Sequence, residues 1–144
     1  MRRFSFKKAF TIIELIFVII IIGILASIAL PKFSESYKQS LISKAQSKVN
    51  AVRSAIQVYK TKHILLGDDP YPNTLSSDNT HLFDKILPSA EIAGTDAGKW
   101  ERMSGEKYKY HLNDGYIVFE YDKSNGSFRC NPDESSLQEL CNYF

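Results

Sequence analysis

The chain has 144 residues, of which 18 are basic and 16 acidic, so its formal net charge at pH 7 is +2. Its three histidines and two cysteines have no metal-ligand spacing. The sequence also contains no nucleophile motif and no glycine-rich loop that precedes a helix. We therefore expect a protein that is not an enzyme and has no catalytic residues.

The chain begins with a basic segment, residues 1–9, which is followed by an apolar run, residues 10–30. Four basic residues and no acid lie in the first segment: Arg2, Arg3, Lys7 and Lys8. The apolar run has about the 20 residues that a helix needs to cross a bilayer. Because a positive flank stays in the cytoplasm, we expect a single-pass inner-membrane protein with a cytoplasmic N-terminus and a periplasmic remainder.

A cleaved secretory signal peptide is the alternative interpretation of these first 30 residues. It also has a basic start, an apolar stretch and a small-residue site, for which residues 26–29 (ASIA) would serve. Two features argue against it. The apolar run exceeds the usual length of about 7 to 15 residues, and it contains an acid, Glu14, near its start.

Glu14 is an acid in a segment that is otherwise typical of membrane hydrocarbon. An ionised carboxylate near the bilayer interior costs a few kcal/mol, so such a residue is a functional hypothesis by default. The apolar run contains no cation that could pair with it. Its partner is therefore expected from outside the run, and the alternative is a tolerated side chain that reaches interfacial water.

Residues 7–15, KKAFTIIEL, resemble the leader junction of type IV pilins and type II secretion pseudopilins, and Pro31 falls where this family commonly has a proline. The resemblance implies that a prepilin peptidase cleaves between Ala9 and Phe10 and that the new amine of Phe10 is methylated. Residues 1–9 are then a removable leader. Ala9 stands where the family usually has glycine, a departure that bears on the efficiency of cleavage.

The same resemblance implies a partner for Glu14. In the family, this carboxylate pairs with the N-terminal amine of a neighbouring subunit, here that of Phe10, and removing one member of a buried pair costs about 3 to 5 kcal/mol. The resemblance also implies that the helix loosens between Gly23 and Pro31 as subunits pack. A proline lacks the helical hydrogen-bond donor, so a kink or partial melting is expected in this stretch.

Beyond Pro31 the apolar residues follow a helical period, at positions 41, 45, 49, 52, 56, 59 and 63, with polar and basic residues between them. One helix is therefore predicted from Phe10 to about Ile64. It ends before Gly67 and the prolines that follow. Residues 10–30 form its transmembrane and polymerisation half, and residues 31–144 form a globular head that includes its amphipathic half.

Short elements are predicted in the rest of the head. They are a helix over residues 79–87, a surface loop over residues 89–98, strands over residues 108–112, 116–121 and 128–130, and a helix capped by residues 131–134. Trp100 is expected to open the sheet or to cap its core. Residues 113–115 and 124–126 are hairpin turns that favour positive φ. The predicted fold is α+β and pilin-like, with a long N-terminal helix packed against a small antiparallel sheet.

The two cysteines, Cys130 and Cys141, lie in the part predicted to be periplasmic. An oxidising compartment favours a disulfide between them, and a loop of this size would be stabilised by about 3 kcal/mol. Two free thiols in a cytosolic domain are the alternative. The pair also resembles the disulfide-bounded C-terminal region of many type IV pilins.

Removal of the leader changes the charge of the chain. Fourteen basic residues then remain against 16 acidic ones, a net charge of −2. Residues 32–62 have seven basic residues and one acid, whereas residues 63–144 have seven basic and fourteen acidic residues. This asymmetry suits electrostatic contact between subunits, and a solvated helix face is the alternative.

Two kinds of ligand have weak support in the sequence. Direct nucleic-acid binding would use the basic residues Lys44, Lys48, Arg53 and Lys60, but no reading motif accompanies them. The resemblance also allows a structural calcium ion, as in the heads of the major pseudopilins. Its ligands would come from one of two acidic loop groups, either Asp68, Asp69 and Asp78 or Asp133 and Glu134. Surface turns explain these acids without a metal, so no cofactor is expected.

The resemblance implies a structural role. The chain is expected to polymerise with itself or with other pilin-like subunits into a periplasmic or surface filament, after contact with prepilin peptidase and an inner-membrane assembly platform. A pseudopilin of a type II secretion-type or DNA-uptake system is the first expectation, because residues 71–74 (YPNT) resemble the segment after the long helix of major pseudopilins. A type IV pilin of a surface pilus, major or minor, is the alternative. A single-span, membrane-anchored binding domain that does not polymerise is the second alternative.

Overall fold

The computed structural model describes residues 10–144. The elements of this part are helix α1 (Ile12–Leu66), strands β1 (His81–Leu82), β2 (Glu91–Ile92), β3 (Trp100–Arg102), β4 (Lys107–Leu112), β5 (Gly115–Asp122) and β6 (Ser127–Asn131), and a 3-10 helix (Gln138–Tyr143). The chain forms two compact units, one that ends at Tyr37 and one that comprises Lys38–Phe144. The predicted leader and Ala9 lie outside the described residues.

Helix α1 is continuous from Ile12 to Leu66, so the long helix is confirmed and ends two residues later than predicted. Its end is set by Gly67, which has a φ of 76°. The Gly67 N–H donates to Ile64 O (3.2 Å) and the Asp68 N–H donates to His63 O (2.9 Å). This pair of bonds around a left-handed glycine is a Schellman motif, which satisfies the last carbonyl groups of the helix.

One face of α1 is buried in the second unit. The buried residues are Leu41, Ile42, Ala45, Val49, Val52 and Ile56. Five of them belong to the stripe predicted from the sequence, and Ile42 widens it. The amphipathic half of the helix is thereby confirmed.

The second unit contains a four-stranded antiparallel sheet in the order β3-β4-β5-β6. In β4 the buried residues Tyr108, Tyr110 and Leu112 alternate with half-buried ones, which is the pattern of a strand with one face on a core. The three predicted strands are confirmed. Trp100 begins the fourth, β3, and is 2% exposed, so it both opens the sheet and belongs to the core.

Aromatic rings fill the core between the sheet and α1. Phe83, Trp100, Tyr108, Phe119 and Phe128 contact one another with ring centroids 4.7 to 6.0 Å apart. The buried face of α1 belongs to the same core. The α+β fold with a small antiparallel sheet is therefore confirmed.

The short helix predicted over residues 79–87 is wrong. His81 and Leu82 form β1, which pairs with β2 inside the predicted loop, and only a turn follows. Phe83 has a φ of 61°, which is incompatible with a right-handed helix. Its N–H donates to the buried Ser76 Oγ at 2.9 Å. A side chain thus supplies the partner that a helical carbonyl would otherwise provide.

One turn prediction and one helix prediction also need correction. Asn113 and Asp114 join β4 to β5 with no positive φ, whereas Gly126 has the expected positive φ of 72°. Asn131 Oδ1 accepts the N–H groups of Asp133 (3.1 Å) and Glu134 (3.4 Å). These bonds cap a turn rather than a helix, because the chain then leaves to bond the edge of β5.

Candidate functional site

The predicted assembly residues lie in the first 20 positions of α1, whose residues are exposed except for the half-buried Ala26. Among the described residues, α1 is the one helix long and apolar enough to cross a membrane. Its most apolar 18 residues have a mean hydropathy of 3.0, and none of them is buried. An apolar surface of this length is not stable in water. It requires lipid or other apolar helices around it.

Glu14 lies in the first turn of α1 and is bonded to Thr11. The Glu14 N–H donates to Thr11 Oγ1 (3.3 Å), while Glu14 Oε2 accepts the Thr11 N–H and the Thr11 hydroxyl, both at 3.4 Å. This reciprocal arrangement is a capping box, in which a Thr before the helix and a Glu three residues later satisfy each other's backbone N–H groups. Part of the carboxylate's bonding therefore comes from its own chain.

Thr11 is the residue that the sequence analysis missed. The pattern Thr-x-x-Glu at residues 11–14 immediately precedes the apolar run and is a sequence signature of a helix start. Thr11 carries no charge, so the expectation that a cationic partner of Glu14 comes from outside the run stays a prediction. Both bonds to the carboxylate involve Oε2, however, and Oε1 has no partner within the described residues. The carboxylate also benefits from the positive end of the helix dipole.

Gly23 and Pro31 lie within the uninterrupted part of α1. The partial melting expected between them does not occur in this single chain. A Cβ added at Gly23 would meet nothing within 4 Å, so nothing in the described chain demands a glycine there. Their predicted roles concern neighbouring subunits and stay predictions.

The cysteines at the other end of the chain form a disulfide. Cys130 in β6 is joined to Cys141 in the 3-10 helix, with their Cα atoms 5.5 Å apart. The segment between them lies along β5 beyond the end of β6. Ser135 Oγ accepts the Val118 N–H (2.9 Å) and Ser136 Oγ accepts the Tyr116 N–H (2.7 Å). The disulfide loop therefore closes part of the edge of the sheet, which would otherwise expose unpaired backbone groups.

The basic side chains of α1 mostly bind the rest of the second unit. Lys48 pairs with Glu91, Lys44 Nζ donates to Gly98 O (3.3 Å), and Lys60 Nζ lies 5.2 Å from the centre of the Tyr71 ring. Arg53 Nε donates to Phe128 O (2.9 Å). The basic stripe that would bind nucleic acid is thus largely engaged within the chain.

The acids proposed as calcium ligands have other contacts or lie apart. Asp78 accepts the N–H groups of Thr80 (2.7 Å) and His81 (2.6 Å), and these bonds lower the pKa of Asp78 to about 2. Glu134 pairs with Lys107, and Asp68 lies 3.4 Å from His63. No group of three or more metal-ligating side chains converges within residues 10–144.

Parts of the chain are similar to known proteins. The family described as the prokaryotic N-terminal methylation motif matches residues 5–30. A fimbrial protein of Neisseria meningitidis is 33% identical over 90 residues, which are 61% of this chain and 51% of that protein. The type IV major fimbrial protein FimA of Dichelobacter nodosus is 36% identical over 89 residues, or 53% of this chain and 55% of FimA.

A fimbrial protein of Pseudomonas aeruginosa is 41% identical over 51 residues, 35% of this chain and 33% of that protein. The chain thus spans about half the length or less of these curated relatives, and no solved structure matches it significantly. The relatives are fimbrial proteins rather than enzymes, in agreement with the absence of catalytic motifs. The chain thus carries the prokaryotic N-terminal methylation motif at residues 5–30 and is similar over part of its length to type IV fimbrial proteins.

Proposed function

We propose that this chain is a structural subunit of a type IV filament and that it polymerises through residues 10–30 after residues 1–9 have been removed. The observation that carries the proposal is the unburied apolar part of α1, headed by Glu14 and joined to a folded unit of its own. Such a surface is covered by lipid before assembly and by the helices of neighbouring subunits afterwards, where van der Waals packing replaces lipid contacts. Packing of this kind requires no cofactor.

Maturation converts the membrane protein into the subunit. A prepilin peptidase cleaves between Ala9 and Phe10 and methylates the amine of Phe10, and an inner-membrane platform then inserts the subunit into the filament. The N-terminus is cytoplasmic, in accordance with the basic leader. The unit that contains the disulfide is periplasmic, where oxidising conditions preserve such bonds.

Glu14 acts in assembly by pairing with the Phe10 amine of a neighbouring subunit. Its Oε2 atom is held by Thr11, which fixes the side chain at the helix start, and Oε1 is available for the partner. Two charges that are each costly in lipid neutralise one another when subunits meet. The pair therefore favours one register between adjacent helices.

Two filament systems remain candidates. The fimbrial descriptions of the relatives and the C-terminal disulfide favour a pilin of a surface pilus. The residues 71–74 favour a pseudopilin of a secretion or DNA-uptake system. The two are distinguished by electron microscopy, because pilins are recovered in fibres sheared from the cell surface and pseudopilins form short fibres in the periplasm.

Mass spectrometry of the protein extracted from membranes and from fibres tests the filament role. The expected fibre form begins at Phe10 and carries one methyl group. Deletion of the prepilin peptidase should leave residues 1–9 in place and abolish fibres. A chain that keeps residues 1–9 in the wild-type cell and never enters a fibre would instead be a membrane-anchored binding domain.

A further inference from the structure

A concave notch lies between α1 and the start of β6, within the second unit. Its volume is about 380 Å³, and its polar lining comes from Arg53, Ser54 and Gln57 on one side and from Ser127 and Arg129 on the other. No acidic residue lines it. We call it the arginine notch. Its lining offers two guanidinium groups, two hydroxyl groups and an amide, which is a set of donors suited to an oxyanion.

The guanidinium groups of the two arginines lie near each other. Arg53 Nε is bonded to Phe128 O, so the Nη groups are left for another partner. Burial, followed by the repulsion of Arg129, lowers the pKa of Arg53. Neither arginine takes part in an ion pair within residues 10–144. Arg129 also borders a neighbouring cavity lined by Glu106, Glu120 and Asp122, and none of these acids lines the notch.

An apolar strip continues from the arginine notch along α1. Gln57 lines both the notch and a second groove, which is formed with Val58, Thr61, Lys62 and Leu65. Val58 is 69% exposed and Leu65 is 82% exposed. Seven residues apart, they lie on the same face of the helix. The surface therefore combines a cationic end with an apolar end.

We propose that the arginine notch and the apolar strip bind an acidic side chain, and the apolar atoms beside it, from a second copy of this chain. The occupant follows from charge, because residues 63–144 carry twice as many acids as basic residues. Four acids of that region are exposed and have no side-chain partner in the described chain: Asp69, Asp96, Asp133 and Glu139. A nucleic acid is a poorer match, since its backbone has no apolar counterpart for Val58 and Leu65 and the cleaved chain is itself a net anion.

This inference rests on the proposed function, and photocrosslinking in fibres tests it. Benzoylphenylalanine replaces Val58 in the full chain, and fibres are irradiated and digested for mass spectrometry. We expect a covalent dimer in which residue 58 is joined to a peptide of residues 63–144 that contains an acid. The matched control places the same group at Ile92, an apolar residue of β2 that is 53% exposed and remote in sequence from the notch. Linkage at both positions to the same extent, or to nucleic acid or lipid alone, would overturn the inference.

Charge reversal supplies a second measurement. Arg129→Glu should lower the yield of fibres at least about tenfold, because it places a carboxylate against the partner's carboxylate. Lys123→Glu makes the same change of charge at an exposed residue that does not line the notch, and its yield should stay within about twofold of the wild type. Equal yields from the two variants would contradict the inference while leaving the filament role intact. If the wild-type chain forms no fibres at all, both the filament role and the contact at the notch are contradicted.

Discussion

Thr11 and Glu14 bond each other reciprocally across the first turn of α1, so that Glu14 both caps the helix and carries the charge to which we assign a role in assembly. The two contributions are separable by substitution. Glutamine also completes a capping box with threonine, but it has no charge to offer to an amine. Glu14→Ala, in contrast, removes the cap and the charge together.

The first prediction is that Glu14→Gln inserts into the membrane and is cleaved normally but assembles poorly. The α1 start is kept, and only the pairing with the Phe10 amine is lost. Cleavage is measured by mass spectrometry, and assembly is measured by the fraction of subunits in sheared fibres. The matched control is Thr11→Ala, which loses about 1 kcal/mol of helix capping and keeps the carboxylate. If assembly were normal in Glu14→Gln and impaired in Thr11→Ala, the role of Glu14 would be to cap the helix rather than to pair with the amine.

The second prediction concerns Gly126, which has a positive φ and lies against the ring of Tyr71. An added Cβ would approach that ring more closely than van der Waals contact allows. Gly126→Ala should therefore lose about 1 to 2 kcal/mol for the left-handed backbone and about 1 to 3 kcal/mol more for overpacking. Urea unfolding of the detergent-solubilised chain measures this loss, with the fluorescence of the buried Trp100 as the signal.

Gly105→Ala is the control for the steric part of this effect. Gly105 has a φ of 74°, close to that of Gly126, but an added Cβ would meet nothing within 4 Å. Only the backbone contribution is then expected. Equal losses in the two variants would show that Tyr71 moves aside without cost.

The third prediction is that Asp78 contributes stability that is lost in acid. Bonds from the backbone N–H groups of His81 and Thr80 lower its folded pKa to about 2, whereas the unfolded value is about 3.9. Because the folded pKa is the lower one, the contribution is present above about pH 4 and disappears as the pH falls toward 2. Asp78→Asn should be less stable than the wild type at pH 7 and should show a shallower loss between pH 4 and pH 2.

Equilibrium unfolding at a series of pH values measures this slope. Asp69→Asn serves as the comparison, because Asp69 is exposed and its side chain makes no hydrogen bond within the described residues. It should reproduce the wild-type slope. If the free energy of unfolding of Asp78→Asn falls with pH as steeply as that of the wild type, other carboxylates cause the acid sensitivity.

The elements that the sequence predicted well are those whose periodicity extends over many residues. The apolar stripe of α1 repeats from Leu41 to Ile56, and buried and half-buried residues alternate along the whole of β4. In both elements the buried face in the structure is the one that the sequence pattern indicates. The short elements lacked this redundancy. Leu82, Phe83, Ile86 and Leu87 have helical spacing, yet Phe83 takes a left-handed conformation because Ser76 accepts its N–H. A hydrogen bond to a residue seven positions away does not change the spacing of the apolar residues, so the sequence pattern could not reveal it.

Glu14 was singled out as a candidate assembly residue for a different reason, and its role stays a prediction. Glu14 stands out because its chemistry contradicts its surroundings, and the family resemblance supplies a partner that is formed only by cleavage. The capping box was present as Thr-x-x-Glu but was obscured by the apolar run. The arginine notch could not be predicted, because Arg53 and Arg129 are 76 residues apart in the chain and only the packing of β6 on α1 brings them together.

The fourth prediction concerns the disulfide between Cys130 and Cys141. The double substitution Cys130→Ser with Cys141→Ser should lower the free energy of unfolding by about 3 kcal/mol, the value expected for a loop of this size, and it leaves no thiol to mispair. Since the disulfide loop carries Ser135 and Ser136, whose hydroxyls accept the Val118 and Tyr116 N–H groups, these two amides should also exchange faster with deuterium.

Amides in the middle of the sheet provide the internal control for that exchange measurement. Tyr110 and Ile117 form a cross-strand pair between β4 and β5 and are both buried, so their exchange should change only through the global loss of stability. Faster exchange confined to Tyr116 and Val118 under native conditions would show that the disulfide holds its loop against this edge of β5. An equal increase in the exchange rate of all four amides would limit the role of the disulfide to the entropy of the unfolded chain. In a separate experiment, thiol labelling that finds two reactive thiols in the unreduced wild type would contradict the disulfide itself.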